Sequence, residues 1–519
     1  MNKLFRAIQF DREIIDVMRN IDPFKSQWSN DLIDTSLSLI NHLRAIDCQF
    51  QIQSIDCESV ELSSSDRKKL GHYETFNLIF SNYAYYQSFI FQYLTPHESQ
   101  IVQKIHDKHL IDNHKDYYYM IAHLPFYHKL IKLINSFIIE NSLPKLNGLP
   151  EKFNSIYFKL LSNNFLPVII YQWIINHCQT VMDINIVVVC QNQKISTNIQ
   201  ILCCDLSTDN LKVIKTISNN LCYLFSLYKI NNNNPLHVIY IPTPFKKKIN
   251  NFKKKYAINN LLISQLITIP SLSYNYQKFT NPISNLTING GSTNIGLHSD
   301  YIIVWRSEEF AKVLIHELIH YYRLEKIKYF DLSKVTLNIS NNYDHYPMEL
   351  FTELQTWFVY TIINLSKKNF EYTQKDLRFI LNYERLYSLL NIVKILRHYN
   401  LINFNQFKNL PFSQTLTQVN QNVYTKTFSS SNKYMINANS SVIYYYILKG
   451  IFLFEIDASI EAILLPNKHN THIIPLKNND VEDEILSRIE SKQLEIFINL
   501  LFLMQPKLKD TMKMMSLSI

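Results

Sequence analysis

The chain has 519 residues, 47% hydrophobic and 18% charged, a balance that argues against a disordered chain and a length that calls for two or more packed units. Much of the formal net charge of +9 comes from one run, Lys246, Lys247, Lys248, Lys253, Lys254 and Lys255, which reads as a solvated loop or strand end rather than as a nucleic-acid or membrane surface. The seven cysteines, Cys48, Cys57, Cys178, Cys190, Cys203, Cys204 and Cys222, are odd in number and form no C-x-x-C pair, which argues for scattered reduced thiols against a disulfide framework or a cysteine zinc site.

Charges interrupt the N-terminal stretch MNKLFRAIQFDREIIDVMRN where a secretory signal needs an apolar core, so an intracellular, non-secreted protein is expected. To about residue 180 the apolar residues recur mostly at helical spacing, as in Leu32, Leu37, Ile40, Leu43 and Ile46, and predict a helical N-terminal region. The β-branched runs Ile184 to Cys190 and Thr197 to Leu206, joined by a polar turn at Gln191 to Lys194, predict a hairpin. A helix over about Asp209 to Tyr228 and a strand at Leu236 to Ile241 follow.

Gly290, Gly291 and Gly296 are three of only six glycines, and their crowding points to turns or close backbone approach. The strand Tyr301 to Trp305 comes next and can serve as a cleft edge for an extended peptide. Ser307 is a candidate cap for the following helix, with Glu308 and Glu309 in its first turn and an end near Lys326. Pro347 starts another helix, Met348 to about Leu365, with Asp344 as its candidate cap. From about Leu377 onward the chain reads as mostly helical, with a polar insert at Ser413 to Ser441. The apolar run Val442 to Ile456 is broken by Lys449 and is shorter than the ~20 residues of a membrane span, so no transmembrane segment is expected.

The chemistry concentrates at His316-Glu317-Leu318-Ile319-His320. Two imidazoles four residues apart project from one helix face and can share a zinc ion, with Glu317 beside the open coordination position. Val313, Leu314, Ile315, Leu318 and Ile319 would bury the helix. A catalytic zinc takes three protein ligands, and the next predicted helix offers Glu349 and Glu353 on one face. Tyr343, His345 and Tyr346, just before that helix, are the nearest candidates to stabilise an oxyanion, with packing roles equally open to them. His298 reads as a hydrogen-bonded loop histidine, and His469 and His472 receive no role. No G-x-x-x-x-G-K-[ST] or G-x-G-x-x-G run occurs, so no nucleotide cofactor is expected.

An H-E-x-x-H helix followed by a helix with E-x-x-x-D/E resembles the gluzincins, the thermolysin-like branch of zinc metallopeptidases. The stretch from Asn289-Gly290-Gly291-Ser292 to His316 also resembles uncharacterised metallopeptidase-like proteins of large DNA viruses, in keeping with an Asn-, Ile-, Lys- and Tyr-rich composition. The resemblance spans about residues 285 to 360. It implies Zn2+ as cofactor, Glu349 as third ligand and Glu353 as the acid that orients a zinc-binding histidine. Glu353 stands where better-known members carry Asp, which keeps it open as the alternative ligand.

The expected fold is α+β: a zincin-like domain over residues 181–370, with a small mixed sheet, an active-site helix and a ligand helix. A helical region at 1–180 and a mostly helical region at 371–519 that completes the cleft would flank it. The expected function is hydrolysis of a peptide or protein substrate by a zinc-activated water, with Glu317 as general base and Tyr343 or Tyr346 assisting. The alternative is a zincin-derived structural or interaction protein without turnover, in the host cytoplasm or the virion if the source is viral. Nucleic acid is not an expected partner.

Overall fold

The computed structural model describes residues 10–20, 27–60, 94–101, 151–161, 177–190, 193–203, 210–230, 235–247, 290–294, 300–324, 346–398, 443–465 and 487–503, with shorter pieces between them. The elements in chain order are α1 (Arg12–Asn20), α2 (Asn30–Arg44), β1 (Gln49–Ser59), α3 (Glu151–Leu161), β2 (Thr180–Cys190), β3 (Gln193–Cys203), α4 (Asn210–Tyr228) and β4 (Leu236–Tyr240). They continue with β5 (Ile283–Ser284), β6 (Gly291–Asn294), β7 (Tyr301–Val304), α5 (Phe310–Tyr321), α6 (Tyr346–Ser366), α7 (Gln374–His398), β8 (Tyr424–Lys426) and β9 (Ile436–Asn439). A π-helical turn, Ile443–Leu448, runs into α8 (Lys449–Phe454), and α9 (Ala458–Leu464) and α10 (Lys492–Leu503) follow.

The architecture is mixed α/β around a six-stranded mixed sheet of order β1-β2-β3-β4-β7-β6. β1, β2 and β3 form an antiparallel meander, while β4 and β7 join it in parallel and β6 returns antiparallel at the far edge. The predicted hairpin is the β2–β3 pair, tightened so that Cys190 pairs with Gln193. The chain passes from β3 to the parallel β4 through α4, as a parallel neighbour requires a crossover. β5, β8 and β9 make a separate three-stranded sheet, with β8 and β9 inside the polar insert at Ser413 to Ser441.

Helical spacing did not anticipate β1, which lies in the N-terminal region and pairs with β2 over its length. β7 is apolar without interruption because both faces of the sheet are covered there. Along β7 and the residue after it, Ile302 and Val304 enter the larger core with α4 to α8, while Tyr301, Ile303 and Trp305 enter a second core with Phe153, Ile156 and Leu160 of α3. That alternation is the two-residue period of a strand applied to two buried faces.

Among the described residues no helix is long and apolar enough to cross a membrane. Within the run Val442 to Ile456, Ile443–Leu448 is the π-helical turn and Lys449–Phe454 is α8, buried from Tyr446 to Phe454. The described cysteines Cys48, Cys57, Cys178, Cys190, Cys203 and Cys222 are free thiols, as read from the sequence, and β2 and α4 bring the sulfurs of Cys190 and Cys222 to 2.7 Å.

Candidate metal centre

α5 follows β7 after a short turn that departs from the expected cap. Ser307 Oγ donates to the Thr243 carbonyl at 2.9 Å, and the cap position belongs to Glu309, in the left-handed region at φ 59° with no side-chain capping bond. A non-glycine residue there costs on the order of 1 kcal/mol. The Glu309 carboxylate is turned inward to Lys247 Nζ at 3.0 Å, and Glu308 accepts the Lys247 backbone N–H at 2.6 Å. Burial alone would raise the Glu309 carboxyl, yet Lys247 and Lys312 hold it below its ordinary value. Lys247 is therefore fully buried, in contrast to the solvated run read from the sequence; Lys248 and Lys253 to Lys255 lie outside the described residues.

α5 ends at Tyr321 rather than near Lys326, where Arg323 takes φ 51°. α6 begins two residues earlier than read, at Tyr346 in place of Met348, with Pro347 in its first turn. On α5, Lys312, His316 and His320 recur every four residues and form one stripe. On α6, Glu349 and Glu353 form the facing stripe. Lys312 meets Glu353, His316 meets both acids and His320 meets Glu349, so the two helices run antiparallel along this seam.

Three donor atoms converge there. His316 Nε2 lies 3.2 Å from His320 Nε2 and 3.3 Å from Glu349 Oε2, and His320 Nε2 lies 3.4 Å from the same oxygen. A tetrahedral centre with bonds of ~2.0–2.1 Å spaces its donors about 3.3–3.4 Å apart. The triangle therefore fits, and His316, His320 and Glu349 form a group that could hold a metal ion. The His320 and Glu349 side chains remain 17% and 25% exposed, which leaves a path to solvent, whereas His316 and Glu317 are buried.

Glu353, the alternative ligand, is not in this group. Its oxygens lie 2.7 and 2.5 Å from Lys312 Nζ and 3.0 Å from Lys449 Nζ, and Oε2 faces His316 Nδ1 at 3.4 Å. Burial opposes ionisation of both acids. Even so, His320 and His316 hold the Glu349 carboxyl below the usual range, and Lys312, Lys449 and His316 do the same for Glu353. Burial pushes the Lys312 ammonium down to about 8 against the pull of Glu353.

Glu317 points to the sheet. Thr293 Oγ1 on β6 lies 2.8 Å from Glu317 Oε2 and 2.9 Å from its carbonyl oxygen. Burial pushes the Glu317 carboxyl up, although the two imidazoles pull it down. The edge strand beside the site is β6, not Tyr301 to Trp305, which pairs on both sides with β4 and β6. Gly290 and Gly291 allow the close approach that their crowding implied.

Tyr343, His345, Asp344, His298, His469 and His472 lie outside the described residues. Tyr346 opens α6, but its side chain is also outside them. Sequence reasoning missed Thr293, Lys312 and Lys449; for Lys312 the signal was its place four residues before His316. No family model matches the chain, and no curated protein or solved structure is found similar to it.

Proposed function

We propose that the chain is a zinc-dependent metallopeptidase with a zincin-like catalytic domain, in which His316, His320 and Glu349 hold the ion and Glu317 is the general base. The observation that carries this reading is the 3.2–3.4 Å triangle of two imidazole nitrogens and one carboxylate oxygen. Two nitrogens and one oxygen in a tetrahedral arrangement suit zinc over the oxygen-loving Mg2+ or Ca2+. Bound there, zinc supplies Lewis acidity, polarising a carbonyl and acidifying water.

The protein's own groups supply the rest. Glu317 follows His316 directly and lies near enough to both imidazoles and Glu349 to feel their charge. A buried carboxylate with a raised pKa takes a proton from attacking water more readily and returns it to the leaving amine. Thr293 restrains that carboxylate from the neighbouring strand. β6 has no strand on its outer side among the described residues, and an edge strand is where an extended peptide can add to a sheet. That edge supports a peptide or protein as substrate.

Purified full-length protein is expected to carry about one zinc per chain. H316A and E349A are expected to lose it. E317Q should keep the zinc and lose cleavage of a mixed peptide library by about 10²-fold or more. Metal analysis and peptide mass spectrometry read both. Zinc retained without cleavage by the wild type would favour the non-catalytic alternative, and E317Q cleaving at the wild-type rate would overturn the role of Glu317.

A further inference from the structure

Glu353 takes an unusual place behind the donor triangle. It is fully buried, and so are Lys312 and Lys449, which bind it from two elements. Lys312 comes from α5, the helix of the two histidines, and Lys449 from α8, 96 positions after Glu353. Lys312 spans both carboxylate oxygens at 2.7 and 2.5 Å, and Lys449 adds a contact to Oε1 at 3.0 Å. The oxygen facing His316 Nδ1 is Oε2.

We propose that Lys312 and Lys449 are positioning residues for the metal centre: together they clamp the Glu353 carboxylate so that it fixes the ring of His316 with Nε2 turned to the donor triangle. The inference rests on the metal reading above. A neutral imidazole carries one proton, and Nε2 can act as a ligand only when that proton sits on Nδ1. An acceptor held at Nδ1 therefore selects both tautomer and ring orientation. Glu353 alone would do this poorly, because its side chain has three rotatable torsions to place. Ammonium groups on two sides remove that freedom. Burying two lysines is costly unless both are closely paired, and the direct contacts of both Lys312 and Lys449 are made to Glu353.

The test uses full-length protein freed of metal, with K312M, K449M and the double variant K312M/K449M. Methionine keeps most of the apolar stem while removing the charge. Zinc affinity is measured by competition with a chromophoric chelator, the visible spectrum of the cobalt-loaded protein reports ligand geometry, and the unfolding midpoint of the metal-free protein reports the fold. The expected result is a loss of zinc affinity of about 10–100-fold in the double variant and about 10-fold in K449M, with a changed cobalt spectrum. A role confined to folding would move the midpoint and leave both metal readouts at their wild-type values, and that outcome overturns the proposal. If the double variant does not fold, K449M decides by the same criterion. Wild-type protein that binds no zinc overturns the metal centre and this inference together, whereas wild-type affinity in folded variants overturns the inference alone.

Discussion

A Cβ added at Gly291 would stand 2.6 Å from Val313 Cγ1 and 3.0 Å from both Cγ and Oε1 of Glu317. Gly291→Ala is therefore expected to push β6 away from α5, lowering stability by ~1–3 kcal/mol as overpacked sites do and disturbing the Glu317–Thr293 contact. Val313→Ala in the same chain should recover part of the urea midpoint, since Val313 makes the shortest clash; no recovery would mean the strand is held elsewhere. This glycine was legible in the sequence because glycine is so scarce there, as were His316, Glu317 and His320 from their spacing. The choice between Glu349 and Glu353 was not, because both acids share one helix face and only the partners across the seam separate them. Lys247 was misread for a similar reason: its partner Glu309 lies 62 positions away, and a lysine run looks solvated until that acid is placed.

At the level of elements, α8 is pressed against α7 at Gly450, where a Cβ would meet Ile392 Cδ1 at 2.8 Å and the Ser388 carbonyl oxygen at 3.2 Å. Gly450→Ala should lift α8 and draw Lys449 away from Glu353. The expected readout is a fall in zinc affinity of severalfold alongside a lower unfolding midpoint, by ~1–3 kcal/mol; wild-type affinity would show that α8 adjusts without moving its lysine. Elements with strong periodicity were read well, α4, β4 and α6 among them. β1 escaped because its register with β2 shifts between Ile52 and Ser54, and such a bulge breaks the apolar alternation that marks a strand. β6 escaped because Gly-Ser-Thr-Asn is short and polar, and it is a strand only by pairing with β7. The α5 boundary slipped because Ser307 donates to a neighbouring loop instead of capping.

On the scale of the whole molecule, the two covered faces of the sheet bury polar groups as well as apolar ones. His237, on the α3 side of β4, contacts Gln200 Oε1 at 2.8 Å, and burial, with Lys159 adding to it, pushes its pKa down to about 4. Between about 6.5 and 4 an unfolded chain takes up this proton and the native chain does not. Stability should therefore fall as pH drops through that window, by an amount on the order of 2–3 kcal/mol, and level off below it. Urea unfolding at pH 7.5 and pH 4.5 measures the loss, and His237→Gln should flatten it; an unchanged slope would assign the acid sensitivity to other groups.

The lysine that α8 sends to Glu353 has one more consequence. A fragment trimmed after residue 370 would retain all three metal donors and the general base, and would look complete by inspection of its motif. It would nonetheless lack half of the clamp behind His316, so transplanting residues 181–370 onto another scaffold should yield a weak, easily stripped centre unless a substitute cation is engineered at that spot.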